Sequence, residues 1–412
     1  MAILSTASSP RAASNSSPDG KPMQADLVIA GARTPAGQTV DIVIAGAVIA
    51  AVLPGGTAPQ AARRVEAAGK LVSPSFVEGH IHLDKTLIGL PFIPHIQGDT
   101  VARRIAAEKA LRRTLALPIE ERGGRLIAQI ATHGTGSIRS HVDIDTEIGL
   151  KGLHALLALK ERHAHLVDIQ IVAFPQSGVI ADPGVADLLD AALGEGADLV
   201  GGLDPAGIDD DVTGHLGAIF KVAEKHDAGL DIHLHDPGQL GAFELRQIAA
   251  RTKAAGLTGR VAVSHAFALG MIDDGEFART ASALADAGVA IMTNGPGPVA
   301  MPPVGRLKAA GVTVFAGSDN IRDAWSPYGN GDLLERAMII GYRQGFNADA
   351  DLAHAFGMVT TIPAAVLGLT GYGLAPGCRA DLVLIPAASV PEAVASVPGG
   401  RIVLKRGKVV AG

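Results

Sequence analysis

The stretch Leu71-Val-Ser-Pro-Ser-Phe-Val-Glu-Gly-His-Ile-His-Leu-Asp-Lys-Thr86 begins as an apolar, strand-like run and ends in a His-x-His pair. Residues two apart on a β-strand point to the same side, so His80 and His82 can offer two imidazoles to one metal ion. The pair lies at the C-terminal end of the run, where a parallel barrel places its chemistry. A bare His-x-His also arises by chance, so the rest of the chain has to decide.

The composition of the 412 residues limits which class of protein this chain can be. A hydrophobic content of 48% is enough for a large core, and the length indicates one large domain plus a small one. The 35 Lys and Arg and 41 Asp and Glu give a net charge of −6 without long runs of one sign, and aromatic content is 3%. These values argue against a nucleic-acid or membrane-surface partner and favour a small molecule.

The single cysteine, Cys378, excludes an intramolecular disulfide and any multi-cysteine zinc site, so histidines and carboxylates must supply the ligands of a metal. The longest apolar run, 42–53, is shorter than the roughly 20 residues that span a bilayer. Residues 1–24 are rich in Ser, Ala and Pro and lack the apolar region of a signal peptide, so we expect a disordered tail and a cytoplasmic location.

Two different patterns divide the remaining chain. Short β-type runs separated by Gly and Pro fill 25–74 and recur in 371–412, so we expect the two chain ends to form one small β-sandwich domain. Between them, over 75–370, apolar strands alternate with amphipathic helices, the signature of parallel βα units.

Eight strand candidates in the central region predict a closed (β/α)8 barrel, also called a TIM barrel. An open doubly wound sheet is the structural alternative, but no Gly-x-Gly-x-x-Gly follows any of these strands. The candidates cover 75–84, 136–145, 167–178, 198–204, 229–236, 260–267, 288–294 and 312–319.

Polar residues cluster at the C-terminal ends of these strands, where barrel enzymes gather their catalytic groups. Each taken singly has an ordinary explanation, such as a satisfied core histidine for His265, but random placement of 14 histidines would not collect them in this way. The clusters are His80-Ile-His82, His141-Val-Asp143, Pro175-Gln176-Ser-Gly, His233-Leu-His235-Asp236, Ser264-His265 and Ser318-Asp319-Asn320.

Two imidazoles from the first strand, one from the fifth and the carboxylate of Asp319 make a set of three histidines and one aspartate. Such a set suits one Zn(II) or Fe(II) ion and suits Ca(II) or Mg(II) poorly. A divalent metal there lowers the pKa of a bound water and gives a hydroxide nucleophile at neutral pH, which predicts a hydrolase. Of the two histidines on the fifth strand, we favour His233 as the ligand because it lies deeper, with His235 further out toward substrate.

These motifs together resemble the amidohydrolase superfamily and, within it, the cytosine deaminase group. The resemblance extends from Asp26 to the C-terminus. It is carried by Phe76-Val-Glu-Gly-His-Ile-His-Leu-Asp-Lys85, His141-Val-Asp143, Ala173-Phe-Pro-Gln-Ser-Gly178, His233-Leu-His-Asp236, Ser264-His-Ala266, Gly317-Ser-Asp-Asn-Ile-Arg-Asp323 and Gly377-Cys-Arg-Ala-Asp-Leu-Val383.

The resemblance implies roles for individual residues. His265 contacts the metal-bound water or the substrate, and Gln176 hydrogen-bonds the polar edge of the substrate. Trp325, the only tryptophan, either covers a flat heterocycle or anchors its loop. The metal ligands that the resemblance implies are His80, His82, His233 and Asp319, and by analogy the barrel assembles into a homo-oligomer.

Three positions bear on the substrate. Cytosine deaminases carry a Glu as proton shuttle where this chain has Asp236, preceded by His235, and an aspartate where it has Asn320. Both changes move the expected substrate away from cytosine and toward s-triazine rings. Lys85 is either a salt-bridging or surface lysine or a contact to the substrate edge. Segment 198–204 contains no lysine, so a carbamylated-lysine, two-metal site lacks its bridging residue and one metal is expected.

The predicted function is a metal-dependent aminohydrolase that replaces an exocyclic amino or alkylamino group on a pyrimidine-type or s-triazine-type ring with oxygen. Asp319 accepts the proton of the water and passes it to the departing nitrogen, Asp236 or His235 protonates the ring, and His265 stabilises the developing charge. The nearest alternative is hydrolytic opening of a cyclic amide such as a hydantoin or lactam. A non-catalytic metal-binding or ligand-sensing barrel is an alternative from another class.

Overall fold

The computed structural model describes residues 25–95 and 100–412. The tail expected over 1–24 lies outside the described residues. The described strands form two sheets of eight strands each. In chain order they are β1 (Leu27–Arg33), β2 (Thr39–Ala45), β3 (Val48–Pro54), β4 (Arg63–Glu66), β5 (Leu71–Pro74), β6 (Phe76–Ile81), β7 (Thr135–Asp143), β8 (Asp168–Phe174), β9 (Leu199–Leu203), β10 (Gly229–Leu234), β11 (Val261–His265), β12 (Ala290–Thr293), β13 (Val314–Ala316), β14 (Leu382–Ile385), β15 (Ile402–Lys405) and β16 (Lys408–Ala411).

Helices connect the strands of the second sheet and cover its outside. Several begin at a side chain that accepts a hydrogen bond from the first turn, as Thr100 does from the amide of Arg103. The helices are α1 (Val101–Arg112), α2 (Ile119–Thr132), α3 (Lys151–Arg162), α4 (Val185–Gly194), α5 (Val212–Lys225), α6 (Gly238–Ala254), α7 (Asp274–Ala287), α8 (Val304–Ala309), α9 (Leu333–Gln344), α10 (Asp349–Gly357), α11 (Thr361–Val366) and α12 (Val390–Ser396). Across 25–95 and 100–412, none has both the length and the apolar character needed to cross a membrane.

The first sheet joins the two chain ends, as the sequence predicts. Its strand order is β16-β15-β14-β5-β1-β2-β3, with β4 paired to β1, and β14 runs antiparallel to β5. Ile42 on β2 and Leu404 on β15 belong to one buried cluster although three strands separate them in the sheet. The sheet therefore curls around its own apolar core, which gives the small sandwich.

The second sheet is the parallel barrel, in the sequential order β13 to β6. A bridge between Ile81 and Asp319 closes it, and the Asp319 amide donates to the carbonyl of His80 at 2.8 Å. Gly317 permits this approach, because a Cβ there would lie 2.7 Å from the Cβ of His80. The predicted barrel is confirmed, and the open doubly wound sheet is wrong.

The observed barrel strands are shorter than the expected ones, mainly at their C-terminal ends. The eighth candidate reached residue 319, but β13 ends at Ala316 and the chain turns through a left-handed Asp319. The third candidate reached residue 178, but β8 ends at Phe174, before Pro175, which has no amide hydrogen to continue the ladder. The residues just past the strands form the rim of the barrel, so its side chains are carried by short turns.

Candidate active site

Four metal-binding side chains meet at the C-terminal rim of the barrel. His80 and His82 come from the end of β6, His233 from β10 and Asp319 from the turn after β13. All four are buried, and one potential ligand atom from each lies within 4.8 Å of the others. Thus the four residues that the sequence nominated as ligands are brought together, and His235 lies outside the group.

The spacing and chemistry of these atoms fit a transition metal. Donor atoms about 2.0 to 2.1 Å from a tetrahedral zinc ion lie about 3.3 to 3.4 Å from one another. Here His82 Nε2 is 3.3 Å from His233 Nε2, and Asp319 Oδ1 is 3.4 Å from His82 Nε2 and 3.5 Å from His80 Nε2. The buried Nε2 of His80 has no hydrogen-bond partner among the described residues, as a ligand atom requires.

The protonation states also suit ligands. Burial lowers the pKa of His82 to about 4 and holds the pKa of His233 well below its ordinary value. Burial raises the pKa of the Asp319 carboxyl, but His265, His80 and His82 outweigh burial and bring it well below its usual range. Neutral imidazoles and an ionised carboxylate are the forms that bind a metal.

A hydrogen-bonded layer lies beneath the ligands. Ser264 Oγ is 2.8 Å from His80 Nδ1 and donates to Asp231 at 2.9 Å, and Arg139 donates to the same Asp231 carboxylate at 2.8 Å. His141 joins His80 and Asp231 in a second group of possible ligands. Asp231 is already committed to Arg139 and Ser264, so we interpret this group as support that orients His80 and favour a single metal site.

Strained backbone marks the same rim. Asp204, His265 and Asp319 follow or end β9, β11 and β13, and their φ angles are +35°, +74° and +61°. Residues other than glycine seldom adopt positive φ, and they concentrate at functional sites because the surrounding fold holds them there. Asp319 contacts His80 and His82, while Asp204 and His265 both contact His235.

His235 and His265 form a stacked pair beside the metal ligands. Their ring centroids are 4.5 Å apart with 24° between the planes, and His235 Nδ1 lies 2.9 Å from Asp204 Oδ2. Burial lowers the pKa of His235, but the Asp204 carboxylate outweighs burial and raises it. Burial holds the pKa of His265 well below its ordinary value. One ring of the pair is therefore favoured as a proton donor and the other as a neutral imidazole.

Asp236 is engaged by a neighbouring turn and by a second carboxyl. Its Oδ2 accepts from the amide of Gly207 at 2.8 Å, while the adjacent amide of Ala206 donates to Glu244 at 2.8 Å. Burial raises the pKa of Asp236, and burial and Asp236 together raise that of Glu244 to about 8. Glu244 was not among the residues predicted from the sequence, because an acidic residue on a helix is usually solvated.

Lys85, Gln176 and Trp325 lie together on another side of the rim, and all three contact Glu108. Lys85 is buried and forms salt bridges with Asp143 at 3.0 Å and Glu108 at 3.3 Å, so it is the salt-bridging lysine of the first interpretation and not a surface lysine. Glu108 was not predicted either, since nothing in the local pattern of α1 distinguishes it from a solvated charge on a helix.

Asn320 is turned toward Asp323, to which its amide donates at 2.7 Å. Burial raises the pKa of Asp323 to about 7. Asn294 contacts the metal ligands instead, because its amide donates to Asp319 Oδ2 at 2.9 Å. Asn294 directly follows β12, as the other rim residues follow their strands. It is also the last residue of the seventh strand candidate, so its position was a sequence signal that could have identified it.

Comparison with known proteins agrees with this geometry. A family model described as "Amidohydrolase family" matches residues 89–411. This chain belongs to the amidohydrolase family. The amidohydrolase is 34% identical to the N-isopropylammelide isopropyl amidohydrolase of Pseudomonas sp. (strain ADP) over 351 residues, covering 84% of this chain and 87% of the relative.

Two solved structures resemble this amidohydrolase over nearly its whole length. The N-isopropylammelide isopropylaminohydrolase of Burkholderia multivorans ATCC 17616 has a TM-score of 0.90 and 43% identity, covering 94% of this chain and 98% of that one. The 5-methylcytosine deaminase of Klebsiella pneumoniae, liganded with phosphonocytosine, has a TM-score of 0.84 and 28% identity, covering 93% and 97%.

These findings confirm the resemblance to the cytosine deaminase group that the sequence motifs indicated. The chain is a hydrolase that acts on carbon–nitrogen bonds other than peptide bonds. The non-catalytic barrel considered from the sequence is therefore set aside.

Proposed function

We propose that this amidohydrolase replaces an exocyclic amino or alkylamino group on a small nitrogen heterocycle of the pyrimidine or s-triazine type with oxygen. The observation that carries the proposal is the placement of the paired His235 and His265 directly beside the metal ligands. A water nucleophile can therefore reach the ring carbon while a proton donor reaches the ring nitrogen next to it. Similarity to enzymes named for N-isopropylammelide supports an alkylamino group as the leaving group.

His80, His82, His233 and Asp319 would hold one divalent transition metal, Zn(II) or Fe(II). When bound, such a metal lowers the pKa of water toward neutrality. Asp319 takes the proton of the attacking water and transfers it to the departing nitrogen, and the Asn294 amide fixes the carboxylate during both transfers. His265 hydrogen-bonds the oxygen that becomes negatively charged in the tetrahedral intermediate.

We assign protonation of the ring nitrogen to His235 in preference to Asp236. Asp204 holds the Nδ1 side of His235, so the Nε2 side is the one available to a substrate, and stacking on His265 keeps the ring at the metal ligands. Asp236 is held by the Gly207 amide and faces Glu244 instead. This arrangement gives His235 the geometry of a proton shuttle.

The substrate edge would be recognised by Gln176, Lys85 and Trp325. Gln176 offers both a donor and an acceptor to a ring that alternates amide-like groups, and Lys85 supplies positive charge beside it. Trp325 lies with its ring centroid 5.5 Å from Lys85 Nζ, and we propose that it covers a flat heterocycle. Asn320 would offer the substrate its second N–H or its Oδ1 while its first N–H stays on Asp323.

A substrate panel tests the proposal. Purified enzyme with Zn(II) or Fe(II) is incubated with cytosine, 5-methylcytosine, isocytosine, creatinine, ammelide, N-alkyl ammelides and hydantoin, while ultraviolet absorbance and released amine are followed. We expect amine release with the ring intact, fastest for N-alkyl ammelides. Hydantoin opening without amine release would support the cyclic amide hydrolase that remains the second candidate, and absence of amine release from every compound would contradict the proposal.

The homo-oligomeric state and the cytoplasmic location stay predictions. Light scattering of the purified protein checks the first, and cell fractionation checks the second.

A further inference from the structure

One carboxylate oxygen of α1 is shared by three side chains assigned above to the substrate edge. Glu108 Oε2 accepts from Gln176 Nε2 at 2.6 Å and from the indole Nε1 of Trp325, and lies 3.3 Å from Lys85 Nζ. These donors come from three separate segments, after β6, after β8 and after β13. Glu108 thus brings three loops to one carboxylate, in addition to the direct contact of Lys85 with Gln176 and the hydrogen bond from the Leu87 amide to the Arg322 carbonyl at 2.9 Å.

The shared carboxylate fixes the orientation of the Gln176 amide. An ionised Glu only accepts hydrogen bonds and a Lys ammonium only donates them. Nε2 of Gln176 therefore points to Glu108, and Oε1 accepts from Lys85. One N–H and one lone pair of the amide remain, and their directions are set before any substrate arrives.

The charge balance of this cluster depends on Glu108. Lys85 is buried between Glu108 at 3.3 Å and Asp143 at 3.0 Å. Burial raises the pKa of Glu108, but Lys85 and the hydrogen bonds from Trp325 and Gln176 outweigh burial and lower it, so the carboxyl is ionised at neutral pH. Without that charge, the attraction on Lys85 would come mainly from Asp143, which is already 3.0 Å away, and we expect the hydrogen bond from Lys85 to Gln176 to weaken.

We propose that Glu108 is a positioning residue that holds Lys85, Gln176 and Trp325 in one arrangement and so determines how tightly the polar edge of the heterocycle is bound. The inference rests on the proposed function, which assigns those three side chains to the substrate. Glu108 itself does not touch the reacting atoms. Its contribution is therefore to substrate binding and is the same in the ground state and the transition state.

Glu108→Gln keeps the size of the side chain and removes its charge. We expect KM for the best panel substrate to rise about tenfold or more while kcat stays within about threefold, since interactions equal in both states act on KM. The metal content should not change. Glu108→Asp, which keeps the charge but withdraws it by one methylene, should give a smaller rise in KM.

Trp325 provides a second measurement that does not depend on turnover, because it is the only tryptophan. Removing the charge of Glu108 should weaken the hydrogen bond that its side chain accepts from the indole, which should shift the fluorescence emission maximum of Trp325 and increase its quenching by acrylamide. The matched control is Glu121→Gln on α2, where the carboxylate is exposed and lies 3.9 Å from Arg125. This control should keep both KM and the emission spectrum.

The outcomes separate the two proposals. Wild-type KM and emission in Glu108→Gln, or in Glu108→Asp if the first variant does not fold, would overturn the positioning role. A fall in kcat of about tenfold or more with unchanged KM would also overturn it. If the wild-type enzyme releases amine from nothing in the panel, the proposed function fails, while the emission and quenching of the variants still decide whether Glu108 holds Trp325.

Discussion

Two buried clusters of charge in this protein differ in how completely they are satisfied. At the junction of barrel and sandwich, Lys405 donates to the carbonyl of Gly136 at 2.9 Å and to Asp168 and Asp381 at 2.7 and 2.9 Å. At the rim, several buried ring nitrogens, among them Nε2 of His80, have no hydrogen-bond partner in the described part of the chain. A satisfied cluster stabilises the fold, whereas an unsatisfied one is available to a ligand.

Asp319→Asn should have the largest effect on activity. The amide binds a divalent metal less well than a carboxylate and cannot accept the water proton, so we expect kcat to fall about 10³-fold or more. The free energy of unfolding should change little, because the Asn294 contact can be kept. Steady-state kinetics with metal analysis checks this, and full turnover with metal still bound would show that Asp319 has neither role.

Lys405→Met should have the opposite effect, lowering stability without lowering activity. It removes the cation that lies 2.9 Å from the buried Asp381 carboxylate and leaves only Arg379 Nε, at 3.7 Å. We expect the free energy of unfolding to fall by about 3 kcal/mol, partly offset because Arg379 and Arg406 still pair with Asp168. kcat and metal content of the folded enzyme should be unchanged. Urea unfolding checks the prediction, with Lys408→Met as an exposed control. An equal loss of kcat would mean that the junction and the rim are coupled.

His235→Asn and Asp236→Asn compare neighbouring residues of the rim itself. If His235 is the proton shuttle, its replacement should lower kcat about 100-fold, and the Asp236 variant should lose less than about tenfold. The ratio of the two kcat values is the deciding measurement. The reverse order would assign the shuttle to Asp236.

The barrel and the nominated ligands were accessible from sequence because both follow from short periodicities. Alternating strands and helices fix the order of the barrel, and parallel strands present their C-terminal ends on one rim, so His80, His82, His233 and Asp319 had to be near one another. The direction of the strand alone places His233 deeper than His235, and His233 is the one of the two that lies within 4.8 Å of the other three nominated residues.

Partners supplied from outside the strand ends could not be predicted. Glu108 and Glu244 lie on helices, where the local pattern is that of a solvated charge, and only the tertiary fold places them against Gln176 and Asp236. The two interpretations of Lys85 could not be separated for the same reason, because its burial depends on α1. The predicted strands also extended too far toward their C-terminal ends. At Asp319, for example, the chain turns through a left-handed backbone that the sequence pattern does not reveal.

The smallest expected effect concerns a satisfied charge close to the rim. Asp209 accepts from His215 at 2.7 Å and from the amides of Val179, Ile180 and Ala181. Burial raises the pKa of Asp209, but these hydrogen bonds outweigh burial and lower it to about 2. A depressed pKa stabilises the folded state above about pH 4, and this contribution is lost as the pH falls toward 2.

Asp209→Asn should therefore cost about 2 kcal/mol at pH 7 and progressively less below pH 4, with kcat unchanged. Urea unfolding of wild type and variant between pH 7 and pH 3 measures the difference, and Asp210→Asn, at the exposed neighbouring position, should show none. A difference that stayed constant with pH would mean that the Asp209 carboxylate stabilises this loop by packing and not by its charge. A loss of kcat would mean that Asp209 contributes to catalysis at the rim. A fully hydrogen-bonded charge would then not be limited to stabilising the fold.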